Sequence, residues 1–246
     1  MVALRIERGR YVVRLAETEA DIAAAQALRG RCFRGEGMRD ADEFDARARH
    51  FLIETRDEGA LVGCFRALVL AGETGPEHSY SAQYYDLSAL ASGSGPWCEL
   101  GRFCVAPEWT DPDILRLGWA ALARLVDGVG ARGLIGCSSF SGTDWRAYQD
   151  AFASLAARHL APALLRPGPR APETVAYPEM VAARPLDLRA AQAQMPPLLR
   201  TYLSMGGWVS DHAVIDRDLG TLHVFTAIDI AAIPPARARA LRELAG

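Results

Sequence analysis

The sequence predicts an α/β fold, a mixed central sheet flanked by helices, in a single domain over 1–246 with a distinct C-terminal part from about residue 160. Three observations predict it. Short apolar runs of strand length alternate with helical patterns, in the order β-α-α-β-β-β-α-β-α and then further mixed elements. Half of the 246 residues are apolar and 23% are charged, ordinary for a chain with a sizeable core. The third is the run Glu99-Leu-Gly-Arg102-Phe-Cys-Val-Ala-Pro107, an apolar strand that carries a carboxylate and a guanidinium.

Tyr11 to Leu15 reads as the first strand. Thr18-x-x-Asp21 is a capping-box start for a helix through about Phe33, with Ile22, Ala25 and Leu28 on its apolar side. The Arg34–Asp40 stretch reads as a loop, and Asp42-Glu-Phe-Asp45 opens a short helix with acids at its dipole-favoured end. Phe51 to Thr55 and Leu61 to Leu70 form a hairpin around Arg-Asp-Glu-Gly. A surface loop over 72–79, a short helix from Ala82 to Leu90 and a turn-rich connection over 92–96 precede the Glu99 strand.

Pro112 to Gly130 carries Leu115, Trp119, Leu122 and Val126 at helical spacing. Leu134 to Cys137 reads as a strand running into the polar loop 138–144, and Asp144 or Thr143 caps a helix through about His159. The proline-rich stretch from Pro162 to Pro178 is the least regular. The tail reads as a helix near Leu198 to Met205, a turn at Gly206-Gly207, a strand near Leu222 to Ala227 and an arginine-rich helix after Pro234-Pro235.

Composition removes several chemistries. All 27 basic residues are arginine, so Schiff-base lysines and the Walker A lysine are absent. The net charge of −3 argues against general nucleic-acid binding. Five cysteines with no C-x-x-C pair read as reduced, mostly buried thiols, and the histidine spacing offers no metal site. No signal-peptide h-region or membrane-spanning run is seen, so a cytoplasmic protein is expected. Gly136-Cys-Ser-Ser-Phe140 lacks the second glycine of a nucleophile elbow, and no dinucleotide or P-loop fingerprint occurs. Cys104 lies among apolar neighbours and reads as structural rather than as a thiol nucleophile.

What remains is a carboxylate base. Residues 99 and 102 differ in parity, so a regular strand points them to opposite faces. A bulge, expected at Gly101, would bring both to one site. There Glu99 takes a proton from an attacking amine, directly or through water, and unpaired bulge amides receive a carbonyl as it becomes an oxyanion.

The element order and this bulged strand resemble the Gcn5-related N-acyltransferase superfamily, whose fourth strand is bulged and splays from the fifth. Acetyl-CoA members hold the donor pyrophosphate on a glycine-rich loop at a helix N-terminus. Here Ala106-Pro-Glu-Trp-Thr-Asp-Pro-Asp113 takes that place, without glycines and with Glu108, Asp111 and Asp113. The resemblance therefore implies no bound cofactor, with the acyl group delivered on the phosphopantetheine arm of an acyl carrier protein.

Arg29-x-x-x-Phe33, Asp42-x-x-Asp45, Arg66 and Glu99-x-x-Arg102 match, in order, the polar signature of acyl-homoserine-lactone synthases, whose loop tryptophan is absent. Tyr80 to Ser88, Glu99 to Pro107, Gly136 to Phe140, His159 to Pro162 and the long block from Pro196 to Asp216 resemble the L-ornithine Nα-acyltransferases of ornithine lipid synthesis. That resemblance implies transfer of a 3-hydroxyacyl group to ornithine; glutamine acylation, lactone synthesis, a coenzyme A-dependent acetyltransferase and a carrier-protein or acyl-chain binding module are the alternatives.

It implies Glu99 as base, with Arg102 either fixing the amino-acid carboxylate or buttressing Glu99. Arg29, Asp42, Asp45 and Arg66 either face substrate or form an ion-pair network. Asp45 or Asp211 are candidates for the ornithine δ-ammonium on charge alone, though Asp211 and His212 also read as a turn and its solvated neighbour. Ser138 and Ser139 are candidates for the pantetheine amides. Arg116, Arg124 and Arg132 offer a docking surface for the acidic carrier. Arg237, Arg239 and Arg242 are compatible with peripheral contact at the anionic inner-membrane face.

Overall fold

The computed structural model describes residues 4–72, 74–91 and 95–245. Along the chain run β1 (Arg5–Arg8), β2 (Tyr11–Leu15), α1 (Glu19–Phe33), β3 (Arg49–Thr55), β4 (Leu61–Leu70), β5 (Tyr85–Asp86), α2 (Ser88–Ala91), β6 (Trp97–Val105) and α3 (Pro112–Val129). Then follow β7 (Gly133–Ser141), α4 (Gln149–Arg158), β8 (Gly168–Pro169), β9 (Thr174–Val175) and α5 (Tyr177–Met180). α6 (Leu188–Gln194), α7 (Pro197–Ser204), β10 (Trp208–Asp216), β11 (Thr221–Asp229) and α8 (Pro235–Ala245) complete the order. The class is the mixed α/β one that the sequence predicts. The chain divides into two compact units: Met1–Val69 with Cys98–Ala131 and Pro235–Gly246, and Leu70–Trp97 with Arg132–Pro234.

In the first unit the strand order is β1-β2-β3-β4-β6, with β1 to β4 antiparallel in sequence. Cross-strand partners share a face, so Phe51 and Phe65 stack at 4.4 Å and Phe103 stacks on Phe65 at 5.3 Å. Burying a phenylalanine contributes about 1.5–3 kcal/mol, which makes this stack a main stabiliser of the sheet. α3 covers that face: a Cβ on Gly118 would stand 2.6 Å from the Phe103 ring, so only glycine fits. Asp111 caps α3, and Gly130, in the left-handed region at φ 61°, ends it as the sequence predicts. The opposite face carries Cys64, Cys104 and Ala106, and packs against Ala25 and Leu28 of α1. Thr18 and Asp21 make the predicted capping box of α1.

In the second unit the order is β7-β11-β10-β9, all antiparallel. Phe140 of β7 meets Phe152 of α4 at 5.1 Å, and Phe152 meets Tyr177 of α5 at 4.8 Å. Tyr85 donates to the backbone oxygen of His223 on β11 at 2.8 Å.

Several sequence expectations are corrected. β7 does not stop at Cys137: pairing with β11 carries it through Ser141, so Ser138 and Ser139 are strand residues, not loop residues. Asp211 and His212 lie in β10 rather than in a turn, and His212 is buried. The helix expected over 82–90 is a 3-10 turn, β5 and α2. In the loop over 72–79, Pro76 and Ser79 are buried, the Ser79 hydroxyl donating to the Pro76 carbonyl at 2.6 Å. Most of the expected 92–96 connection lies outside the described residues.

Candidate active site

Alternation along β6 breaks once. A Cβ on Gly101 would stand 3.6 Å from Arg66 Nε, so this position faces α1, as does Cys104 in the apolar cluster beneath that helix. Phe103, between them, points to α3. A regular strand would put 101 and 103 on one face and 104 on the other. The inversion is absorbed at Arg102, whose φ of 54° is the one left-handed non-glycine backbone among the described residues. The bulge therefore sits at Arg102, not at Gly101 as expected. Such a backbone costs an L-residue about 1–2 kcal/mol, and persists because the side chain is held at its far end. Glu99, two residues before Gly101, takes the α1 face by the same alternation and is 2% exposed.

What holds Arg102 is a buried network of alternating charge. Its Nε donates to Asp40 at 2.9 Å and its second terminal nitrogen to Asp42 at 3.2 Å. Arg29 reaches Asp40 at 2.8 Å and Asp45 at 2.8 Å. Arg66 grips Asp42 through both terminal nitrogens, one at 2.7 Å, and bridges to Asp45. Gln26 also donates to Asp45, at 2.7 Å, and Arg34 pairs with Asp40 at 2.9 Å. Arg29, Asp42, Asp45, Arg66 and Arg102 are thus brought together.

Burial alone would push the Asp40 carboxyl upward, but the Arg102 and Arg29 guanidiniums hold it below the usual range. Asp45 is likewise pushed up by burial and drawn far down by Arg29, Gln26 and Arg66. Burial disfavours the Arg29 charge, yet Asp45 and Asp40 raise its pKa. All are ionised at neutral pH. Asp42 is the most open carboxylate, its side chain 23% exposed against 8% for Asp45 and 1% for Asp40.

Asp40 is the residue that sequence reasoning missed. It closes the loop after α1, and its backbone N–H donates to Gln26 O at 3.1 Å, laying the loop across the helix. Gly30 permits that crossing: a Cβ there would lie 1.8 Å from the Met38 carbonyl oxygen. Gly30→Ala should swing the loop out, withdraw Asp40 and destabilise the protein by about 1–3 kcal/mol. A thermal melt checks it.

The remaining predicted residues lie elsewhere. Phe33 packs on the apolar cluster of Ala25, Leu28, Cys64 and Cys104 rather than in the network. Ser138 is buried, its hydroxyl accepting from Thr226 at 3.0 Å, whereas Ser139 is exposed; both belong to the second unit. So does Asp211, bonded to His212 at 2.9 Å and paired with Arg166 at 3.5 Å. A hydrogen bond with Cys32 pulls the Cys104 thiol down, but contact with Cys64 and burial push it well above the normal range, which disfavours a nucleophile. Where acetyl-CoA enzymes seat pyrophosphate, Asp111 already accepts from the Asp113 N–H at 2.9 Å and from Tyr11 at 2.9 Å. Glu108 pairs with Arg31 at 2.9 Å.

Residues 25–120 match the acetyltransferase (GNAT) domain. The L-ornithine N(alpha)-acyltransferase of Rhodobacter capsulatus is 34% identical over 91% of this chain and 91% of its own length. The chain belongs to the L-ornithine Nα-acyltransferase family. A second member, from Agrobacterium fabrum, is 30% identical over 92% of this chain and 83% of its own length. Membership makes the chain an N-acyltransferase. The fold also matches that of FeeM, an N-acyl amino acid synthase from uncultured soil microbes, with a TM-score of 0.54 at 12% identity over 91% of this chain and 94% of that one. In this family member the Glu99 strand and the network around Arg102 both lie within the matched acetyltransferase domain.

Proposed function

We propose that the chain transfers a 3-hydroxyacyl group from the phosphopantetheine arm of an acyl carrier protein to the α-amino group of L-ornithine, giving lyso-ornithine lipid. The observation that carries this is Glu99, a buried carboxylate on the same face of a bulged strand as the Arg–Asp network. The acceptor follows from the named relatives, which cover nearly the whole chain.

An α-ammonium group has a pKa near about 8 and must lose a proton before it can attack. Glu99 takes that proton, directly or through water. The amine nitrogen bonds to the thioester carbon, the oxyanion is met by amides of the bulge, and the carbon–sulfur bond breaks to release the carrier thiol. Arg102 acts here as a positioning residue that ties the bulge to Asp40 and Asp42. The δ-ammonium of ornithine sits beside Asp42, which also holds Arg66 and Arg102 but is the most open carboxylate of the network, its side chain 23% exposed against 8% for Asp45. Asp111 seated on the N-terminus of α3 disfavours a pyrophosphate there and supports a carrier-borne donor.

Docking of an acidic carrier falls to α3, where Arg124 is exposed; Arg116 shares its charge with Asp113 at 2.7 Å, and Arg132 lies over the Trp97 ring at 5.0 Å. Arg124→Glu should raise KM for the acyl carrier protein about tenfold and leave kcat unchanged, the effect shrinking with added salt. Membrane contact by α8 rests on Arg237 and Arg239, since Arg242 pairs with Asp127 at 2.8 Å. Among the described residues no helix is long and apolar enough to cross a membrane.

Purified protein incubated with 3-hydroxypalmitoyl carrier protein and ornithine, glutamine or S-adenosylmethionine separately should give acyl-ornithine by mass spectrometry. Acyl-glutamine would overturn the acceptor, and a lactone would overturn the family chemistry. No product despite intact carrier binding would leave a binding module.

A further inference from the structure

An α-amino acid carries its carboxylate on the same carbon as the amine that reacts, so a cation near Glu99 would hold the acceptor in place. The buried guanidiniums are already committed. Arg29 is divided between Asp40 and Asp45, Arg66 between Asp42 and Asp45, and Arg102 between Asp40 and Asp42. Arg29 and Arg66 are also sealed from solvent. An exposed guanidinium, that of Arg47, stands against this network. It lies over the buried Phe44 ring at 5.2 Å, and the same ring carries Arg66 at 5.8 Å. The shared ring thus fixes the exposed cation beside the pair that Arg66 makes with Asp42 at 2.7 Å.

Local structure sets the spacing. Asp42 caps the start of the 3-10 turn Glu43–Ala46, its carboxylate accepting from the Phe44 N–H at 3.0 Å. Arg47 closes the turn, its N–H donating to the Phe44 carbonyl at 3.1 Å. Such a turn rises about 2 Å per residue, so the two backbones stand about 10 Å apart. A carboxylate and a guanidinium therefore flank one turn, complementary to the ammonium and carboxylate that end an extended diamino acid.

Strand register puts Arg47 at the Glu99 end of the sheet. β3 runs antiparallel to β4, with His50 opposite Arg66. β6 also runs against β4: the Ala106 N–H donates to the Val62 carbonyl at 2.9 Å, while Gly101 stands beside Arg66. β3 and β6 thus point the same way. Stepping back from His50 to Arg47 and from Gly101 to Glu99 leads to one end, and all of these residues belong to the first unit. Arg49 does not serve, because alternation along β3 turns it to the face opposite His50 and Arg66.

We infer that Arg47 receives the α-carboxylate of the acceptor and so selects amino acids over their uncharged derivatives of the same length. The inference rests on the acyl-transfer reading and adds the contact that the committed guanidiniums do not make. The Arg47 guanidinium donates to the carboxylate, the δ-ammonium donates to Asp42, and the α-amine is left to Glu99.

Steady-state kinetics with 3-hydroxypalmitoyl carrier protein and either ornithine or ornithinamide test it. Ornithinamide keeps both amines and the chain length but loses the carboxylate charge. Arg47→Gln should lower kcat/KM for ornithine about ten- to hundredfold, the usual worth of hydrogen bonds to a charged group. The loss should lie in KM, with kcat little changed. Ornithinamide should respond far less, so the wild-type preference for ornithine disappears. Arg47→Lys, a point charge without the planar fork, should restore part of it. Should the glutamine variant fail to fold, Arg47→Ala carries the same comparison. An equal loss with both acceptors overturns the inference, as the mark of a structural role in the Phe44 stack; so does an unchanged preference for ornithine. No product with any acceptor overturns it together with acyl transfer. Turnover of glutamine in place of ornithine, with glutamine but not glutaminamide weakened in Arg47→Gln, would uphold Arg47 and sink the ornithine acceptor alone.

Discussion

Asp40→Asn should lower folding stability by about 3–5 kcal/mol, the usual effect of removing one partner from a buried ion pair. Asp40 is 1% exposed and receives Arg29, Arg34 and Arg102. Asparagine keeps the shape but removes the charge that offsets two buried guanidiniums. Arg29 is then left with Asp45 and Arg102 with Asp42. Because Arg102 holds an unfavourable backbone at φ 54°, weakening its anchor also favours relaxation of the bulge. Urea denaturation reads the loss. A change under about 1 kcal/mol would mean that the network is worth no more than a set of surface pairs.

The pH dependence has a definite sign. Asp40 and Asp45 both have folded pKa values below the ordinary carboxylate value of about 3.9. Their contribution is fully present above that value and is lost as pH falls through it toward the folded values. The wild type should therefore lose stability below about pH 4. Asp40→Asn should lose less over the same interval, so the two denaturation midpoints converge on acidification.

Much of this first unit was legible because its signals are local. The Thr18 capping box, the hairpin around residues 56–59 and the glycine end of α3 each need only neighbours in sequence. Asp40 was not legible: its partners Arg29 and Arg102 are 11 and 62 residues away, and the loop approach that delivers it depends on Gly30. The parity of 99 and 102 demanded a bulge, but not where. Glycine was the cheap choice on backbone grounds, and ion pairs to Asp40 and Asp42 placed it on arginine instead. In the second unit, serines weaken the β signal of 138–141, which pairing with β11 overrides. The β10 bulge breaks the alternation that would have marked Trp208–Asp216 as a strand, and it is the same bulge that buries His212.

Glu99→Gln should reduce kcat for acyl-ornithine formation by about 10²–10⁴-fold, the usual worth of a positioned general base, with KM for ornithine little changed. Glutamine keeps the size and hydrogen-bonding reach of the side chain but cannot hold the proton. The pH profile separates a missing base from a damaged site. Without Glu99 the rate depends on amine that arrives already neutral, a fraction that grows tenfold per pH unit up to about 8. The variant should thus recover activity as pH rises, while the wild type changes less over the same range. Glu99→Asp, with the carboxylate withdrawn by one methylene, should fall between the two and keep the wild-type profile. If the glutamine variant kept wild-type kcat at neutral pH, the proton would be leaving by another route, and Glu99 would be a partner of the buried network instead of the base.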